Sequence, residues 1–121
     1  MLFSKHETLT TTDTTTIFEV PNGYSAHWNL LFISNHGGST NNVTIFVDND
    51  TDGDGTYTDQ FYVFDGKQVT SKDFLQVSDA VFVLHPTDRI RASTSSAGDV
   101  TVLVTFDLIY TGISFSNFNT N

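Results

Sequence analysis

The chain contains no cysteine, which removes disulfides, thiolate metal sites and a cysteine nucleophile from consideration together. Cations are nearly as scarce, Lys and Arg totalling 5 against 14 Asp and Glu for a net charge of -9 at pH 7. A nucleic-acid-binding surface works by clustering cations on phosphates and releasing counterions, so this charge balance argues against such a partner. No apolar run approaches the ~20 residues of a membrane span, and the opening MLFSKHETLT lacks the apolar core of a secretory signal. The expectation is a soluble protein, made and kept in the cytoplasm, with neither membrane nor nucleic acid as a direct partner. No window carries a convincing 3.6-residue apolar period, which leaves little room for helices.

What is present favours strands. Phe 11, Tyr 4 and Trp 1 can supply a core, and abundant Thr and Val suit a pleated, half-buried surface. A chain of 121 residues is the size of one domain, burying roughly two thirds of its unfolded surface. The organising stretch is VPNGYSAHWNLLFISNHGGSTNNVTIFVD, residues 20–48. Pro21, Asn22 and Gly23 form its opening turn, since proline presets one φ and Asn and Gly tolerate positive φ. Ala26, Trp28, Leu30 and Phe32 then share one face of a strand by the period of two, with Trp28 read as core. Apolar residues on both faces from Leu30 to Ile33 suggest a central strand, and the chain reverses at Asn35, His36, Gly37 and Gly38.

Strands are expected at 14–20, 25–35 and 42–47, the last setting Val43, Ile45 and Val47 on one face. Residues 60–64 and 67–70 flank Asp65-Gly66, the signal of a two-residue hairpin. Residues 71–79 are less periodic and read either as a short strand at 74–77 or as a connecting loop. Residues 80–84 and 89–93 enclose a turn at His85, Pro86, Thr87 and Asp88. The final strand, 100–110, alternates well, with Val100, Val102, Val104, Phe106 and Leu108 facing one way. The fold expected is all-β: a single antiparallel β-sandwich, jelly-roll-like, of about eight strands. Residues 1–13 form an N-terminal arm, 14–110 the sandwich domain and 111–121 a short C-terminal tail.

Three elements within this pattern are the VPNG turn at Val20 to Gly23, ISN at Ile33 to Asn35 with GST at Gly38 to Thr40, and PTDRIRA at Pro86 to Ala92. In these features, and over roughly residues 8–108, the chain resembles small β-sandwich virion proteins of tailed bacteriophages, marine and cyanophage members especially. That family more often carries Gly before the Asp of the last motif, where this chain has Thr87. The resemblance implies a non-enzymatic structural part of the virion, assembled in the host cytoplasm. Its expected role is head decoration or cement, binding the major capsid protein or other virion proteins and stabilising the capsid surface. The alternative is a neck, tail or fibre component, acting as an adaptor or as a host-receptor or glycan-binding module. A closed homo-oligomer, a trimer by the resemblance, is expected.

The residue chemistry points to one metal motif. DNDTDGDGTYTD places Asp48, Asp50 and Asp52 at positions 1, 3 and 5, Gly53 at 6 and Asp59 at 12 of a calcium-type loop, with Asp54 among the carboxylates. Asp59 stands where a longer Glu usually closes such a loop, and the flanks read as strands, so an acidic hairpin tip explains the same residues. No cofactor is required. His6, His27, His36 and His85 have no metal-ligand spacing, and no serine lies in a nucleophile elbow. Arg89 and Arg91 alternate along one strand face and could pair with acidic groups of a neighbouring subunit or within the chain. Leu2 and Phe3 at the start, and Phe115 and Phe118 at the end, are apolar anchors on segments that cannot bury them locally, and are expected to contact a symmetry mate or a capsid subunit.

Overall fold

The computed structural model describes residues 1–50, 55–57 and 61–111, with the backbone alone described at 79–81. Eight strands follow one another: β1 Leu2–Thr8, β2 Thr15–Glu19, β3 Tyr24–Asn35, β4 Asn41–Asp48, β5 Phe61–Val69, β6 Asp73–Leu84, β7 Arg89–Thr94 and β8 Val100–Tyr110. They form two four-stranded sheets, ordered β1-β8-β3-β6 and β2-β7-β4-β5, antiparallel throughout. First pairs with last, second with seventh, third with sixth and fourth with fifth, which is the double Greek key of a jelly roll.

The expected alternations in β4 and β8 hold: Val43, Ile45 and Val47, and Val100, Val102, Val104 and Phe106, are buried between the sheets. Ile17, Val20, Trp28, Ile33 and Ile90 complete that core. Beginning at residue 2 rather than 14, the sandwich takes in most of the segment read as an arm. Seven residues of β1, from Leu2 against Asp107 to Thr8 against Thr101, pair with β8. The same strand turns Phe3 inward onto Phe106 and Phe18, with ring centroids 5.2 and 6.2 Å away.

Three further differences have one cause, extra residues within strands. On β3 the two steps from Trp28 to Leu30 answer a single step on β8, from Phe106 to Thr105, so Asn29 is a bulge. Side-chain period in a strand is two, so one extra residue exchanges the faces. Ala26 and Trp28 point into the core as expected, but beyond the bulge Leu31, Ile33 and Asn35 are buried while Leu30 and Phe32 turn outward. On β6 four steps, Phe82 to Ser78, answer the same two on β3, and the stretch read as a short strand or loop plus a separate strand is one irregular strand. Asp65-Gly66 is not a hairpin. Three steps of β5, Lys67 to Phe64, face two of β4, Val43 to Ile45. Gly66 sits at φ +69° and donates its N–H to Thr44 Oγ1 at 3.0 Å, so the positive-φ dipeptide serves a bulge within β5.

The sequence motifs are joints between the sheets. Val20 donates to the Asp88 carbonyl and accepts from the Thr87 N–H, both at 3.0 Å, so the VPNG and PTD turns hold each other. At the opposite end buried Asn35 donates Nδ2 to the Ser39 and Val69 carbonyls, at 2.8 and 2.9 Å, and accepts from the Gly37 N–H at 3.0 Å. Buried Asn41 accepts from Thr94 Oγ1 at 2.9 Å. Buried amides must be satisfied to be tolerated, and this cluster ties β3, β4, β5 and β7 at one end of the sandwich.

Candidate interaction surfaces

Strands β4 and β7 bring Asp48 opposite Arg89 on the outer face of the second sheet. Arg89 donates Nε to Asp48 Oδ1 at 2.8 Å and Nη2 to Oδ2 at 2.7 Å, and Arg91 Nη1 lies 3.6 Å from the same carboxylate. The Asp48 side chain is 4% exposed. The Tyr57 ring covers this pair, its centroid 3.3 Å from the Arg89 guanidinium carbon, and the Tyr57 hydroxyl reaches Glu19 at 3.5 Å. The hydrogen bonds to Asp48 raise the Arg89 pKa further above its ordinary value. Such a bidentate, covered pair is a structural clamp between β4 and β7. Arg89 thus finds its acid within the chain.

This clamp bears on the acidic loop. Both oxygens of Asp48, the loop's first position, are held by Arg89, so a cation there would have to displace a guanidinium; Asp48 does not fit the ligand role. Asp50 accepts the Gly55 N–H at 2.8 Å. Asp52, Asp54 and Asp59 lie outside the described residues, as do Phe115 and Phe118. Among the described residues no three His, Asp or Glu gather as a metal site. Phe61 and Tyr62, just past the loop, are 50% and 46% exposed, and Tyr62 stacks on Phe46 with centroids 5.3 Å apart. His6, His27, His36 and His85 are all exposed and spread over both ends.

The other broad surface is the outer face of β1-β8-β3-β6. The register lines up His6, Leu103, Phe32 and Gln76 in one row and Ser4, Thr105, Leu30 and Ser78 in the next. Phe74 is 57% exposed and stacks on Phe32 at 5.2 Å and 13°, forming one wall of an open groove of about 280 Å³ that Ser34, His36, Lys72 and Asp73 also line. Leu2 is 75% exposed at the far corner. Beside it Asp107, its carboxyl held below the usual range by the N-terminal ammonium, accepts that group's hydrogen bond at 2.8 Å. The middle of the face thus sets Leu30, Phe32, Leu103 and Phe74 among uncharged polar side chains, with its charges at the two ends. Leu30, Phe32 and Phe74 escape a sequence reading because an unbroken period of two sends Leu30 and Phe32 inward. Asn29 continues the polar alternation of Ser25 and His27, so nothing in the sequence marks the break.

No protein-family model and no curated protein matches the chain. Solved structures do. A chain of the infectious bursal disease virus Gx strain shares the fold at TM-score 0.50 and 16% identity over 93% of this chain, which spans only 31% of that one. A chain in the capsid asymmetric unit of cyanophage Pam1 matches at TM-score 0.46 and 17% identity, covering 87% of this chain and 83% of that. The CBM22-1 xylan-binding domain of Paenibacillus barcinonensis Xyn10C matches at TM-score 0.46 and 14% identity, over 92% and 74%. At 16% identity the likeness to the first of these is one of fold alone.

Proposed function

We propose that the chain is a non-enzymatic structural protein of a phage particle, a decoration or cement protein that lays the outer face of β1-β8-β3-β6 on the head shell. The observation that carries this reading is that face: exposed Phe74 and half-buried Leu30, Phe32 and Leu103 share a sheet surface whose middle is uncharged, on a chain of net charge -9, and apolar side chains gathered on a surface mark a contact. The jelly roll shared with a viral particle protein over 93% of this chain, and the three motifs of the phage resemblance, support it. Met1 and Thr111 lie at one end of the same sheet, Met1 accepting from the Leu108 N–H and Thr111 donating to the Gly23 carbonyl. Both ends of the described chain therefore emerge beside the proposed base.

The test is co-sedimentation of the purified chain with shells stripped of it. Phe74→Asp and Leu103→Asp, which change outward side chains, should each abolish binding, whereas Tyr62→Ala on the opposite sheet should leave it intact. Binding unaffected by the first two would refute this face. Exposed Phe61 and Tyr62 beside the acidic loop favour the second reading, a tail or fibre module that stacks on a host glycan. Loss of host-cell or glycan binding on Tyr62→Ala, with shell binding absent, would establish it instead.

A further inference from the structure

The four edge strands of the sandwich are unequally protected. Edges invite another strand unless short, charged or bulged. β1 carries Lys5 and Glu7, β2 has five residues, and β5 is broken by bulges around Asp65, Gly66 and Lys67. β6 carries Asp73 and Asp79 and is bulged between Ser78 and Phe82, but between these interruptions Phe74, Leu75, Gln76, Val77 and Ser78 run in regular register without charge, Gly or Pro. The core is also incomplete at this edge. Leu75, Val77 and Val63 face inward yet remain only partly buried, and a cavity of about 10 Å³ lies there, lined by Trp28, Leu30, Leu31, Val63, Val77 and Phe82. No described strand lies beyond β6.

The chain has one unassigned segment suited to this edge. In residues 112–121, GISFSNFNTN, Ile113 and Phe115 are two apart, with Ser114 and Ser116 alternating between and after them, the pattern of a strand with one apolar face. The 74–78 stretch of its own β6 is out of reach of Ile113 and Phe115. From Tyr110, opposite Tyr24, the position beyond β6 in the row of Leu75, opposite Ile33, lies about 30 Å along the strands and about 14 Å across them. Ile113 and Phe115, three and five residues on, extend at most about 11 and 18 Å. We infer that residues 112–121 of a second copy add as a strand to β6, placing Ile113 and Phe115 beside Leu75 and Val77 to close the core. Ser114 and Ser116 then continue the outer face next to Gln76. Backbone pairing supplies the binding energy and the two apolar side chains set the register.

This inference concerns assembly of the isolated chain, so it and the shell-binding reading fail by separate experiments. Sedimentation of the full chain should show an assembly that Ile113→Asp/Phe115→Asp reduces to single chains with an unchanged circular-dichroism spectrum. Gln76→Pro should do the same from the edge side, with Gln76→Lys as the second edge variant should the proline prevent folding. Because the chain lacks cysteine, Ser114→Cys and Gln76→Cys, made in separate chains and mixed under oxidation, should give a disulfide-linked pair of the two, whereas His27→Cys in place of Gln76→Cys should not. A chain that sediments singly at every concentration, an assembly indifferent to the tail substitutions, or cross-linking no better at 76 than at 27 would overturn the inference.

Discussion

At the scale of single residues, the covered Asp48–Arg89 pair dominates. A buried ion pair is weak evidence of net stabilisation, but removing one partner strands the other charge at a cost of about 3–5 kcal/mol. Asp48→Asn is therefore expected to lower the unfolding free energy by about that much, measured by urea denaturation, while Asp48→Leu/Arg89→Met should recover a large part of the loss. A second residue acts through its backbone. Thr87 holds φ +72°, a left-handed conformation that costs an ordinary L-residue about 1–2 kcal/mol. Thr87→Gly relieves that strain and gives back part of the gain as unfolded-state entropy. A net stabilisation of about 0.5–1 kcal/mol is expected, seen as a rise in melting temperature; a fall would mean that the Thr87 hydroxyl, 3.4 Å from the Asp50 carbonyl, matters more than the strain.

At the scale of elements, the bulges decide what could be read in advance. β4 and β8 alternate without interruption on their inner faces, so their buried residues are legible from apolar spacing alone. β3, β5 and β6 each carry inserted residues, and a period of two cannot announce its own phase slip. That is why Leu30 and Phe32 lie outside, why Asp65-Gly66 mimics a hairpin signal, and why β6 reads as fragments. The arm at residues 1–13 was hidden differently: β1 is an edge strand, exposed along most of its length, and its polar residues look unstructured until β8 is placed beside it. Arg89 reads in the sequence as a charge needing a partner and Asp48 as a metal ligand, and the β4–β7 register sets the two opposite each other. The bulge at Asn29 has a direct test. Asn29→Ala loses one hydrogen bond, from Thr105 Oγ1 at 2.7 Å, and should cost about 1 kcal/mol. Deleting Asn29 forces either Trp28 or the Leu31 and Ile33 pair out of the core and should cost at least about 3 kcal/mol, measured by the same denaturation. Equal losses would show that β3 re-phases freely and that the bulge does not set the faces.

At the scale of the whole molecule, the two sheets divide the work. The outer side of β2-β7-β4-β5 carries the ion-pair clamp, and the outer side of β1-β8-β3-β6 carries Leu30, Phe32, Leu103 and Phe74 among uncharged polar residues and lies close to both Met1 and Thr111. An acidic protein that keeps the middle of one sheet face uncharged is suited to lying on another protein surface, where stabilisation comes from buried area. The most direct measurement of that account is immunogold labelling of intact source-virus particles with antibody against this chain, paired with mass spectrometry of the purified particles. Label distributed over the head is the result expected of a decoration protein. Label confined to the neck or tail, or a chain absent from the particles altogether, would contradict it.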